Sequence, residues 1–153
     1  MKKVLVMMIA CIVTQGLVFG VADAKKITDI KKISNSLFYH FQGKVTKIDS
    51  DKEYLIASEK MVVLVDAAYG RKTFTTYIRD VNGKQIPFEE IKKGAWIGVV
   101  GGELLGKSVA AGTIFLLPRQ LFPKDMGRYP AFAAPPVWLD EMKAISGRTG
   151  SMR

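Results

Sequence analysis

Cysteine and histidine are nearly absent: Cys11 and His40 are the only ones in 153 residues. Cys11 sits inside the apolar run from Val4 to Val21, so the chain beyond residue 24 has no thiol. Disulfides, thiolate metal sites and cysteine nucleophiles are thereby excluded from that part, and one imidazole does not make a zinc centre. No metal and no cofactor is expected. Proline is equally sparse until late: Pro87 stands alone, and the other five fall between Pro118 and Pro136. Acidic side chains are the minority, 14 against 23 Lys and Arg, for a formal charge of +9. Such a balance favours anionic partners.

What is present begins with an address. Lys2 and Lys3 precede the apolar run, and Ala22-Asp23-Ala24 places small residues where an A-x-A cleavage site needs them. The pattern predicts a signal peptide over residues 1–24, cut after Ala24, and an exported, periplasmic or extracellular protein without a stable membrane span after cleavage. The alternative is an uncleaved anchor, since the run is about long enough to cross a bilayer. Residues 25–40 then read as a lysine-rich lead-in, with Ile27, Ile30 and Ile33 at three-residue spacing.

From Phe41 the pattern becomes short strands with turn signals between them: 41–48, 53–57, 61–65, 73–78, 95–100 and 108–117. Residues 67–72, with Gly70, read as a loop. Asn82-Gly83 reads as a tight turn, and 85–88 as a brief edge segment broken by Pro87. This rhythm predicts an all-β domain over 41–118, a small antiparallel OB-like barrel of five to six strands. Residues 119–153 form a Pro-rich tail, extended around 130–136. A short terminal helix is expected at 137–145, with Trp138, Met142 and Ile145 at helical spacing.

One stretch invites a nucleotide. Residues 101–108, Gly-Gly-Glu-Leu-Leu-Gly-Lys-Ser, fit the phosphate-cradling spacing G-x-x-x-x-G-K-[ST]. A cradle also needs a helix directly after Lys107-Ser108. The next ten residues are Val-Ala-Ala-Gly-Thr-Ile-Phe-Leu-Leu-Pro, a run that favours a strand. The expectation is a glycine loop between two strands, with a nucleotide-binding enzyme as the remote alternative.

The series Gly43-Lys-Val45, Phe88-Glu-Glu-Ile91-Lys-Lys-Gly94, Ile97-Gly-Val99 and Ala110-Ala111 resembles the small OB-like β-barrel domains of unknown function in exported bacterial proteins. The resemblance covers about Phe41 to Leu117. Ala95 stands where those domains often carry Asp. The resemblance implies the barrel and a binding or structural role, and it supplies no catalytic residue.

No catalytic residue is expected from the side chains themselves: His40 reads as a partly packed surface residue, and Glu89-Glu90 and Asp49/Asp51 as turn carboxylates. The expected ligand-binding set is Arg71, Lys72, Lys92, Lys93, Lys107 and Tyr69, all read as loop residues, with Tyr54 and Tyr77 as further stacking surfaces. The expected partner-docking set is Trp138, Met142 and Ile145. The expected function is a non-enzymatic exported binding module for an anionic envelope component or a protein, with nucleic acid not expected. The alternative is an accessory subunit of an envelope assembly that docks through its tail.

Overall fold

The computed structural model describes residues 26–28, 38–104 and 108–133. The expected signal segment, Lys107 and the tail positions Trp138, Met142 and Ile145 lie outside the described residues. Eight strands run in chain order: β1 (Phe38–Asp49), β2 (Tyr54–Ala57), β3 (Lys60–Leu64), β4 (Asp66–Tyr69), β5 (Lys72–Thr75), β6 (Tyr77–Asp80), β7 (Trp96–Leu104) and β8 (Ser108–Leu117). Two 3₁₀ turns, Phe88–Glu90 and Pro123–Arg128, and one helical turn, α1 (Pro130–Ala133), complete the described chain.

The strands close a five-membered barrel in the ring order β1-β2-β3-β8-β7. Antiparallel pairs join β1 to β2, β2 to β3, β7 to β8, and β1 to β7. The ring is shut by a parallel pair, Met61–Leu64 beside Ser108–Ala111. β6 adds a sixth strand, parallel to β8 at Thr113–Leu116. The small OB-like barrel is therefore present, with two parallel pairs where an antiparallel sheet was expected. A parallel pair needs a long crossover, and residues 65–107 supply it between β3 and β8.

Alternation along the strands sorts side chains to two sides. Val45, Leu55, Ala57, Val62, Leu64, Ile97, Val99, Val109, Ala111 and Ile114 fill the interior, and Ile91 joins them with Phe88 packed against it. Full burial of each larger aliphatic side chain contributes about 1.5–3 kcal/mol. Ala111 and Ile114 both point inward although they are three apart. Val100 pairs Thr113 while Gly101 pairs Ala111, so Gly112 is the extra residue of a β-bulge that shifts the parity. A second cluster lies on the outer face: Tyr54, Val63, Val65, Val100, Ala110, Phe115 and Leu117. The chain covers it with its own additions, namely Ile27, Ala67 and Phe74 of the β4–β5 hairpin, and Leu121 and Phe132 of the tail.

Several local readings are corrected. Residues 67–72 are not a loop but the body of the β4–β5 hairpin, with Asp66–Tyr69 opposite Thr75–Lys72 and Gly70 (φ 62°) in the turn. The expected strand 73–78 is two strands broken at Thr76, whose hydroxyl accepts from Val65 N (2.7 Å) and donates to Ala111 O (2.6 Å). Of the edge segment 85–88 only Gln85 bridges, to Arg79, and Phe88 opens a 3₁₀ turn instead. The lead-in is partly barrel: β1 starts at Phe38, and Ile27 bridges Val65 in parallel. The tail is partly core, and Pro130–Ala133 is helical where an extended chain was expected. The Asn82-Gly83 turn is present, built on Asp80, whose carboxylate accepts from Asn82 N and Lys84 N at 2.9 Å each.

Candidate binding surface

The glycine stretch is explained by packing. β7 runs on through Gly101 and Gly102 to Leu104, and β8 begins at Ser108, so only residues 105–107 separate the two strands. A Cβ on Gly101 would strike the carbonyl oxygen of Ala110 across the bulge. One on Gly98 would enter the ring of Phe132. From Ser108 the backbone is a ten-residue strand. The P-loop spacing is thus met without the helix that turns backbone N–H groups toward a phosphate.

The proposed basic residues fall into two groups. Arg71 occupies the turn of the β4–β5 hairpin and Lys72 begins β5, both exposed. Tyr69 ends β4 opposite Lys72. Lys92 and Lys93 are exposed on the turn before β7, which Gly94 makes with a φ of 89°. That turn is stitched to β1: Gly94 N donates to Val45 O (2.7 Å), and Val45 N donates to Ala95 O (2.9 Å). The stitching joins the turn that carries Lys92 and Lys93 to β1 at Val45, next to exposed Lys44, a residue the sequence pattern does not single out. Lys44 was invisible because its neighbours come from residues about fifty positions away.

Of the tyrosines, Tyr54 is corrected outright: at 2 % exposure it belongs to the outer cluster and offers no stacking face. Lys47 Nζ stands 5.6 Å from its ring centroid. Tyr77 is 42 % exposed, and the Arg79 guanidinium lies 5.0 Å from its ring centroid. The tail brings a further exposed aromatic, Phe122, at 50 %.

The titratable groups that suggest chemistry have structural partners. The His40 ring meets Phe132 edge-on at 5.0 Å, and Phe132 meets Phe115 likewise at 5.3 Å. Burial against these rings lowers the imidazole pKa below its usual value. Asp49 accepts from Lys52 N (3.0 Å) in the β1–β2 turn. Glu89 and Glu90 lie exposed in the 3₁₀ turn rather than on a strand. Asp125 is buried and takes both guanidinium nitrogens of Arg119 (2.9 and 2.8 Å) as well as Phe122 N (2.9 Å). Arg119 first, then the Phe122 amide, hold its carboxyl well below the ordinary carboxylate range. Gln42 clamps the same segment by donating to Leu121 O (2.9 Å) and accepting from Leu121 N (2.8 Å). Among the described residues no group of three His, Cys, Asp or Glu side chains gathers as a metal site would need.

Set against known proteins, the chain matches no family model, and no curated protein or solved structure shows significant similarity to it.

Proposed function

We propose that the protein is an exported, non-catalytic binding module that recognises an anionic component of the cell envelope through cations held on a small β-barrel. The observation that carries this reading is exposed Lys92 and Lys93 on a turn that two backbone hydrogen bonds fasten to β1 at Val45, next to exposed Lys44 of that strand. A turn whose backbone is already held loses less conformational freedom when its lysines engage an anion. Arg71 and Lys72 on the hairpin extend the positive surface. The His40 ring packs on Phe132, and the Asp125 carboxylate is taken up by Arg119.

The test is retention of the full-length protein, held in mild detergent, on immobilised inorganic polyphosphate. Binding is expected to weaken at least tenfold between low and physiological salt, because exposed charge pairs are screened over about 8–10 Å. Replacing Arg71, Lys72, Lys92 and Lys93 with Ser should cost a further tenfold. Replacing Lys47, Lys52, Lys84 and Lys124 with Ser removes the same charge and should cost much less. Salt-insensitive retention, or equal losses from the two sets, contradicts the reading.

The second reading, an accessory subunit, is favoured by Phe122, which a rigid segment presents to solvent. Loss of co-purifying envelope protein on Phe122→Ser, with unchanged polyphosphate retention, would favour it over the first.

A further inference from the structure

β5 and β6 follow one another with only Thr76 between them, and their side chains alternate in exposure across that break. Phe74 is buried in the outer cluster, Thr76 turns inward to Val65 and Ala111, and Ile78 packs against the barrel interior. The alternate positions Thr73, Thr75 and Tyr77 are exposed, and Arg79 continues the series with its guanidinium over the Tyr77 ring. Arg71 heads the series at the hairpin turn. At about 3.3 Å per residue of strand, Thr73 to Arg79 reaches at most roughly 20 Å.

We infer that Thr73, Thr75, Tyr77 and Arg79, with Arg71 at the head, form a rail for an extended anionic oligosaccharide. This rests on the polyanion-binding reading above and names its ligand class. The rail's chemistry is that of a charged sugar chain. Thr hydroxyls donate to and accept from ring hydroxyls. The Tyr77 ring offers an apolar face for the C–H side of a pyranose. Arg79, already held against that ring by a cation–π contact, points a planar fork of donors at a carboxylate. Two carboxylates adjoin the rail, and each has a partner: Asp66, opposite Thr75, is engaged by Lys26 Nζ at 3.2 Å, and Asp80, next to Arg79, accepts from Asn82 N and Lys84 N. A single-stranded nucleic acid wants successive aromatic platforms, and Tyr77 has no exposed aromatic neighbour at alternate positions of the stretch. A bilayer would require the threonine hydroxyls to lose water.

The probe is an oligogalacturonate, with its methyl ester as the uncharged counterpart. Binding is measured by calorimetry on the full-length protein in a detergent without a sugar headgroup. The free acid should bind and the ester at least tenfold more weakly. Tyr77→Ala and Arg79→Ser should each weaken binding tenfold or more, and Tyr77→Phe should retain it. Thr75→Val, on an exposed surface, serves where Tyr77→Ala unfolds, with a smaller loss expected. Acid and ester binding equally, or acid binding unchanged in Tyr77→Ala, Arg79→Ser and Thr75→Val, overturns the rail. Polyphosphate retention without oligogalacturonate binding also overturns the rail and leaves the wider reading standing. Loss of both overturns the two together.

Discussion

Gly98 and Phe132 show how a single missing methyl group positions the tail. The Phe132 ring lies where a Gly98 side chain would be, and His40 and Phe115 meet that ring by their edges. Gly98→Ala should therefore cost about 1–3 kcal/mol by overpacking, read by urea unfolding. In a Phe132→Ala background, itself costing about 3–5 kcal/mol, the added alanine should cost far less; equal costs in both backgrounds would separate the two residues. Strain is visible at Ser58 and Glu59, whose φ angles of 49° and 63° make the β2–β3 turn. Left-handed backbone disfavours a side chain by about 1–2 kcal/mol, so Glu59→Gly should raise stability by up to about 1 kcal/mol and the melting temperature by a few degrees. Asp125 gives a pH signature. Its folded pKa lies below the unfolded value near 3.9. The stability it contributes is thus complete above that value and is lost as pH falls through the folded pKa. Asp125→Asn should be less stable than the parent at pH 7, with the gap narrowing below about pH 4; a gap independent of pH would remove the ionised Arg119–Asp125 pair from the account.

At the scale of elements, the long strands were readable and the short ones were not. β8 was expected at residues 108–117 and is found there, because Pro118 stops a run of β-branched and apolar residues. β4 escaped notice because Asp-Ala-Ala-Tyr carries little strand preference. It forms because Gly70 turns the chain and Phe74, opposite Ala67, buries itself on the barrel. Thr76 ends β5 for a reason no local pattern contains: its hydroxyl serves Val65 N, between β3 and β4, and Ala111 O of β8. Thr76→Val keeps the shape and removes both bonds, and should cost about 1–3 kcal/mol for the backbone groups left without partners. A cost near zero in thermal unfolding would mean that water replaces the hydroxyl. The site divides in the same way. Arg71, Lys72, Lys92 and Lys93 read as loop residues, and all four are exposed, although Lys72 begins β5. The addition of Lys44 depends on the bonds between Val45 and the turn at Gly94 and Ala95, which sequence spacing does not encode.

For the whole molecule, composition and turn rhythm were enough for a small barrel, while its closure was not readable. The β3–β8 pair joins residues 61–64 to 108–111 in parallel, and only the folded register reveals it. The same holds for the outer cluster, where Ile27 from the lead-in and Leu121 and Phe132 from the tail cover the outer face of the strands. The segments that looked like flanks are thus part of the core. The functional reading depends on this architecture, because a helix after Lys107 would turn the glycine stretch into a phosphate cradle. Backbone NMR of the full-length protein in detergent micelles tests it most directly. The account predicts extended chemical shifts from Ser108 to Leu117, slow amide exchange there, and cross-strand contacts between Val63 and Ala110. Helical shifts after residue 107, or absence of the Val63–Ala110 contact, would contradict it.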